Sequence, residues 1–184
     1  MTVSPKMKIS VFMALSLDGF IARPDGDVAW LHEGEALPEG DDAGFGAFFN
    51  SIDVLVMGRG SFEKVLEFDE WAYGSKPIVV MSKTLKTVPK HLRETVAISS
   101  DSPQALIATL SEQGYQHMYL DGGKLIQSFL REGLVNEMTL TTIPVLIGQG
   151  IPLFAELNKD VHLKHLNTRT WENGFVQTHY RLMY

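Results

Sequence analysis

Three apolar runs in this sequence each end on small, hydroxyl-bearing or basic residues, and this pattern restricts the fold more than any other feature. The runs span residues 54–57, 77–81 and 118–120, and each has the length and composition of a buried strand. Apolar residues at helical spacing follow the first and the last run. Buried strands that alternate with helices are typical of an α/β domain with a parallel sheet. The residues after the runs are therefore expected to share one sheet edge, where such domains bind ligands.

The glycine pair Gly122-Gly123 stands where the last of these strands passes into a helix. Residues without a Cβ let the backbone come close to a ligand. The N–H groups and the dipole of a helix start favour an anion such as a phosphate. The pair alone is also compatible with a simple tight turn, and it lacks the three-glycine fingerprint of a Rossmann dinucleotide site.

The other two strand ends carry groups that suit a phosphate. Gly58, Arg59 and Ser61 follow the first run, and Ser82 and Lys83 follow the second. Arginine offers a planar, permanently charged donor group, although Arg59 is equally compatible with a solvated surface residue and Ser61 with a helix N-cap. Three such strand ends together favour a phosphorylated cofactor over three unrelated turns.

Composition narrows the class of protein further. The chain has 184 residues, 45% of them apolar, with a net charge of -6 and no cysteine. We expect residues 1–6 to form a mobile tail and residues 7–184 to form a single domain. The acidic balance argues against nucleic acid as a partner, no run is long enough to cross a membrane, and the lack of cysteine fits the cytoplasm. His162 and His165 would point to opposite faces of a strand, so no metal site is predicted.

The rest of the chain predicts a first strand, two further helices and a C-terminal hairpin. A strand is predicted over residues 8–15, helices over 43–50 and 102–113, and strands over 96–98, 135–142, 161–170 and 175–182, with a long irregular stretch at 18–40. The Asn173-Gly174 pair is a strong hairpin signal. We therefore expect a central mixed, mostly parallel sheet of about eight strands, flanked by helices and closed by an antiparallel hairpin.

Four motifs occur in order along the chain: SLDGFIA at residues 16–22, LVMGR at 55–59, a segment beginning DGG at 121–137, and a segment from PVLIG to PLF at 144–154. In this order they resemble the dihydrofolate reductase-like fold, in the branch that contains the RibD C-terminal domain of riboflavin biosynthesis. The chain resembles most the stand-alone members of that family, because no deaminase domain accompanies it. The Asp-Pro and Leu-Thr motif of the riboflavin enzyme is also replaced, by residues 67–71.

The resemblance implies a reductase that uses NADPH. Carried over by position, the residues in contact with the cofactor would be Ala14, Leu15, Gly58, Arg59, Ser61, Ser82, Lys83, Gly122, Gly123, Lys124, Leu125 and Ile126. Among them, Ser82 and Lys83 match the place of the adenosine 2′-phosphate, and residues 122–126 match the pyrophosphate loop. The family also implies a homodimer.

The substrate side is expected to hold a small heterocycle, either pterin-like or an aminopyrimidine. Asp42 resembles in its spacing to Gly58 the acidic residue of dihydrofolate reductases, so it is a candidate proton donor; it equally suits a helix cap. Asp18 and Trp30 are candidates for the substrate pocket, with a turn and the core as their respective alternatives. A nucleotide-binding module without catalysis is the alternative function.

Overall fold

A computed structural model describes residues 7–184, and its main sheet has eight strands in the order β5-β4-β3-β6-β1-β7-β10-β9. The strands are β1 (Lys8–Ser16), β2 (Phe20–Ala22), β3 (Val54–Gly58), β4 (Ile78–Met81), β5 (Val96–Ser99), β6 (His117–Asp121), β7 (Glu137–Ile143), β8 (Ile151–Pro152), β9 (His162–Thr170) and β10 (Val176–Met183). The pairs from β5 to β7 are parallel, whereas β10 runs antiparallel to both β7 and β9. The predicted mixed sheet is confirmed.

Four α-helices cover the two faces of the parallel half of this sheet. They are α1 (Phe45–Ser51), α2 (Arg59–Val65), α3 (Pro103–Glu112) and α4 (Gly123–Arg131). Alternate residues of β3 show why both faces are buried. Val54 and Val56 belong to the core that includes buried residues of α3 and α4, and Leu55 and Met57 belong to the core that includes Phe62 of α2. A strand buried on both faces reads as a continuous apolar run, as the sequence indicated.

The stretch that was expected to be irregular contains two short elements. Strand β2 pairs with β8 as a separate two-stranded sheet, and a short 3-10 helix spans Ala29–His32. The partner of β2 lies about 130 residues later in the chain, so local sequence patterns carry no signal of this pairing.

The first helix begins two residues later than predicted. Ala43 and Gly44 have positive φ angles of 57° and 82°, which belong to the left-handed region and end any regular right-handed helix. Elsewhere the local signals are confirmed: the Ser102 hydroxyl accepts a hydrogen bond from the Ala105 N–H and caps α3, and Gly174 turns the C-terminal hairpin with a φ of 84°. The tail predicted over residues 1–6 lies outside the described residues.

Candidate active site at the carboxyl edge of the sheet

The sheet order brings all the predicted cofactor-binding strand ends to one edge. Strands β4, β3, β6 and β1 are adjacent and parallel, so their carboxyl ends lie side by side. This edge of an open α/β sheet is the usual ligand-binding position. The three strand ends that the sequence singled out, here called joints and formed by residues 58–61, 82–83 and 122–123, are therefore neighbours in the fold.

Gly122 is the point where two of these joints meet. A Cβ on Gly122 would lie 2.8 Å from the Ser61 Oγ and 3.5 Å from the Gly58 backbone nitrogen. Its φ of 102° is also one that other residues rarely adopt. The start of α4 and the start of α2 thus approach each other closely, and only glycine fits between them.

Gly123 is held by packing of a different kind. A Cβ at this position would come within 3.0 Å of the Ile21 Cδ1 and 3.2 Å of the Pro152 carbonyl oxygen. These atoms belong to β2 and β8, so the small second sheet covers the start of α4 from one side. The two consecutive glycines therefore serve two contacts, one toward α2 and one toward the second sheet.

The Arg59 guanidinium reaches across to the end of β4. Its NH1 donates to the Thr84 Oγ1 at 2.8 Å, and its Nε donates to the Glu63 carboxylate at 2.6 Å. The Ser82 hydroxyl accepts hydrogen bonds from the N–H groups of Thr84 and Leu85. Arg59 is therefore grouped with the residues that follow β4, and its half-exposed guanidinium is paired with the Glu63 carboxylate.

A cavity of about 410 Å³ opens at the ends of β4 and β5. Seven of its ten lining residues are polar, and the lining consists of Met81, Ser82, Lys83, Ser99, Ser100, Asp101, Ser102, Pro103, Leu125 and Ser128. The cavity lies beside Ser82 and Lys83, the residues for which the family resemblance implies the adenosine end of the cofactor.

Two residues of the predicted cofactor set cannot offer their side chains to a ligand. Ile126 is fully buried in the core, and its N–H donates to the Gly122 carbonyl oxygen within α4. Leu15 is also buried in that core. Helical periodicity turns the Ile126 side chain inward, away from the sheet edge, so the predicted contact of Ile126 with the cofactor would not use its side chain. Lys124 is exposed and Leu125 lies in the cavity wall.

Asp42 occupies the position of a helix-start residue. Its two carboxylate oxygens accept hydrogen bonds from the N–H groups of Gly44 at 2.8 Å and Gly46 at 2.7 Å. The residue is exposed. Of the two alternatives left open by the sequence, the geometry favours the cap. The burial that the proton-donor alternative requires is missing.

The neighbouring Asp41 links the start of α1 to the C-terminal hairpin. It accepts hydrogen bonds from the Ala43 N–H at 2.9 Å and from the Trp171 indole N–H at 2.9 Å, and it forms an ion pair with Arg169. The hydrogen bond from Trp171, followed by that from Ala43, lowers the pKa of Asp41. The hairpin thereby fixes the loop that leads into α1.

Asp18 and Trp30, the two predicted pocket residues, both make contacts within the protein. The Asp18 carboxylate accepts hydrogen bonds from the N–H groups of Ile147 at 3.3 Å and Gly148 at 2.8 Å, so it anchors the loop after β7. Trp30 is only 2% exposed and packs with Ile143 and Phe175. Its side chain therefore lies in the core, which is the alternative that the sequence left open for it.

Asp121 is a titratable residue of the candidate site that was not predicted from the sequence, although it begins the DGG motif. It ends β6 immediately before Gly122, where burial raises the pKa of its carboxyl group to about 6, against a weaker opposite effect of a hydrogen bond from the Gly122 N–H. Burial, and next the charge of Asp121, raises the pKa of both Tyr73 and Tyr119. Asp121 lies two residues after Tyr119 on β6, so both side chains face the same side of the sheet, and Tyr119 packs there against Phe45 and Phe48 of α1. A carboxylate at the end of an apolar strand was the available signal.

Residues 7–184 contain no cluster of three or more histidine or acidic side chains that could hold a metal ion. Within the same residues, no helix has the length and apolar character needed to span a bilayer.

The strand order and the helices define an open, mixed α/β domain whose candidate site lies at the carboxyl ends of its parallel strands. The chain belongs to the RibD C-terminal domain family, whose model matches residues 7–177.

Two relatives match almost the whole chain. The uncharacterized Bacillus subtilis protein YwjB is 32% identical over 175 residues, which cover 94% of this chain and 97% of that protein. The crystal structure of a candidate riboflavin biosynthesis protein from Shewanella sp. PV-4 is 38% identical, with a TM-score of 0.91, and the match covers 97% of this chain and 100% of that one.

Dihydrofolate reductase from Enterococcus faecalis, solved with NADP(H), shares the fold. Its TM-score is 0.65 at 13% identity, and the match covers 96% of this chain and 97% of that enzyme. The dihydrofolate reductase-like architecture expected from the motifs is confirmed.

Proposed function

We propose that this chain is an NADPH-dependent reductase that transfers a hydride to a pterin-like or aminopyrimidine heterocycle. The observation that carries the proposal is the close approach of Gly122 to Ser61 and Gly58 at the carboxyl edge of the parallel sheet. Membership of the RibD C-terminal domain family supports the reductase class.

The residues at this edge fit a dinucleotide. Because Gly122 has no side chain, the starts of α4 and α2 lie close together, and backbone N–H groups at such helix starts can approach a pyrophosphate. Arg59, Lys83 and Lys124 would supply positive charge along the same edge, and the cavity beside Ser82 has room for the adenosine end. Bound there, NADPH would supply the hydride.

Reduction of a C=N bond also needs a proton on the nitrogen atom, and Asp121 is the better placed of two acids. A carboxyl group with a pKa of about 6 holds a proton in a useful fraction of molecules near neutral pH. Asp42 is exposed and its oxygens are engaged with the Gly44 and Gly46 N–H groups. We therefore assign the proton-holding role to Asp121 and the cap to Asp42.

The proposed substrate class is a planar heterocycle, either pterin-like or an aminopyrimidine. Aromatic residues gather on the same side of the sheet as Asp121: the ring centroids of Phe49 and Tyr73 lie 5.8 Å apart, and those of Trp71 and Tyr73 lie 5.4 Å apart. Such rings favour a planar heterocycle by stacking. Residues 67–71 replace the typical motif of the riboflavin enzyme, so a pterin and a ribosylaminopyrimidine both stay within the proposal.

Titration with NADPH and with NADH, followed by tryptophan fluorescence, tests the cofactor. Saturable binding with a preference for NADPH is expected. Turnover is then measured with dihydrofolate and with 5-amino-6-(5-phosphoribosylamino)uracil. Binding of NADPH without turnover of either compound would favour the alternative of a non-catalytic nucleotide-binding module. Absence of binding to both dinucleotides would overturn the reductase proposal.

The family resemblance further supports a cytoplasmic homodimer. Strand β9 forms one edge of the sheet and is exposed along almost its whole length, so its backbone groups are available for pairing. Sedimentation over a wide concentration range tests this, and a constant mass of one chain would reject the dimer.

A further inference from the structure

The cavity at the ends of β4 and β5 is lined by charged groups of both signs. Among the described residues that line it, Lys83 is the cation and Asp101 is the carboxylate, and the other polar groups are hydroxyls. A negative side chain beside the proposed phosphate site calls for a physical explanation, because like charges at short range repel each other.

Asp101 is held in place within the β5–α3 turn. The Ser99 hydroxyl donates to its Oδ2 at 2.9 Å, and the Asp101 N–H donates in turn to the Ser99 Oγ at 3.1 Å. Ser102, the next residue, caps α3 through the Ala105 N–H and fixes the chain direction. The carboxylate therefore has a defined position in the cavity wall.

We propose that Asp101 is a specificity-determining residue that weakens the preference of this site for a 2′-phosphorylated cofactor. The inference rests on the proposed NADPH site. A carboxylate accepts a hydrogen bond from a ribose 2′-hydroxyl, as acidic residues do in NAD-binding sites, but it repels a 2′-phosphate. Lys83 acts in the opposite direction on the same group. The two residues together set a moderate preference for NADPH, with NADH still bound.

Calorimetric titration with 2′,5′-ADP and 5′-AMP tests this at the adenosine end alone, and the same variants are titrated with NADPH and NADH. The quantity compared is the ratio of the Kd for the ligand without the 2′-phosphate to the Kd for the ligand with it. Asp101→Asn is expected to raise this ratio roughly three- to tenfold, and Lys83→Gln is expected to lower it by a similar factor. Asn keeps an oxygen that can accept the Ser99 hydrogen bond. Glu112→Gln, a loss of one exposed charge at the far end of α3, is the matched control and should leave the ratio unchanged.

An Asp101→Asn ratio within twofold of the natural chain, in a variant with an unchanged melting temperature, would overturn the inference while the cofactor site stands. If Asp101→Asn lowers the melting temperature, Asp101→Ser is measured by the same criterion. If the natural chain binds neither the two fragments nor either dinucleotide, the proposed function fails and the inference fails with it.

Discussion

Gly122 and Ser61 lie so close that a Cβ on the glycine would stand 2.8 Å from the serine hydroxyl oxygen. The contact joins the first turns of α4 and α2, which follow adjacent strands of the sheet. The close approach of the two helix starts requires glycine at position 122, so a side chain at this position would change the geometry of the candidate site.

Gly122→Ala is expected to destabilise the fold by roughly 1–3 kcal/mol, through backbone strain and displacement of Ser61, and to weaken dinucleotide binding at least tenfold. Chemical denaturation and fluorescence titration measure the two effects. Gly114→Ala is the matched control, since Gly114 also has a positive φ, of 92°, but a Cβ added there would meet no atom of a distant residue within 4 Å. It should lose stability and keep NADPH binding, and equal loss of binding in both variants would contradict a specific role for Gly122.

Asp121→Asn is expected to stabilise the protein above pH 6. The pKa of Asp121 is about 6, above its ordinary value of 3.8. Between these two values the folded state binds more protons than the unfolded state, so the free energy of unfolding falls as the pH rises from 3.8 to about 6. The variant removes that loss. The free energy of unfolding of Asp121→Asn should exceed that of the natural chain by up to about 3 kcal/mol at pH 8 and by little below pH 4.

The same variant tests the proton-holding role. If Asp121 holds the proton, turnover should fall sharply and the limb of the pH–rate profile near 6 should disappear. A stability gain with unchanged turnover would show that Asp121 is only a buried acid, and the proton would then have to come from another group.

Much of the sheet edge follows from local sequence, because buried strands read as apolar runs and parallel strands share one edge. The runs before Gly58, Ser82 and Gly122 were sufficient to predict that these three strand ends lie at one edge of the sheet. The Asn173-Gly174 turn and the Ser102 cap are likewise encoded within a few residues.

The features that sequence did not predict depend on contacts between distant parts of the chain. The pairing of β2 with β8 and the ion pair of Asp41 with Arg169 each join segments about 130 residues apart. The raised pKa of Asp121 arises from burial, which no spacing rule describes. The same holds for Trp30, whose aromatic ring fits a pocket or a core equally well until its neighbours are known.

Asp42 offers a test between a cap and a catalytic acid. Asp42→Ala should cost about 1 kcal/mol, because the Gly44 and Gly46 N–H groups lose their acceptor, whereas Asp42→Asn should lose less. If the residue is a cap, Asp42→Asn retains turnover and its pH profile matches that of the natural chain. Loss of turnover in Asp42→Asn without loss of stability would restore Asp42 as the proton donor.

Glu137 on β7 forms charged contacts with residues of both neighbouring strands, β1 and β10. Its carboxylate lies 2.7 Å from the Lys8 Nζ, 3.1 Å from an Arg181 guanidinium nitrogen and 3.2 Å from the His179 Nε2. Burial opposes its ionisation, but the hydrogen bonds from Lys8, Arg181 and His179 outweigh this and lower its pKa from 4.5 to about 2. The folded state therefore favours the carboxylate.

A group with a lowered pKa contributes stability that is complete above its unfolded value and is lost as pH falls through its folded value. Glu137→Gln should therefore cost roughly 1–2 kcal/mol at pH 7, a magnitude reduced by the exposure of Lys8 and Arg181, and the cost should shrink between pH 4.5 and 2. Urea denaturation across this range measures the difference, with the exposed Glu112→Gln as the control. A cost that stays constant down to pH 2 would mean that Glu137 contributes by packing, because a charge effect must vanish once the carboxylate is protonated in both states.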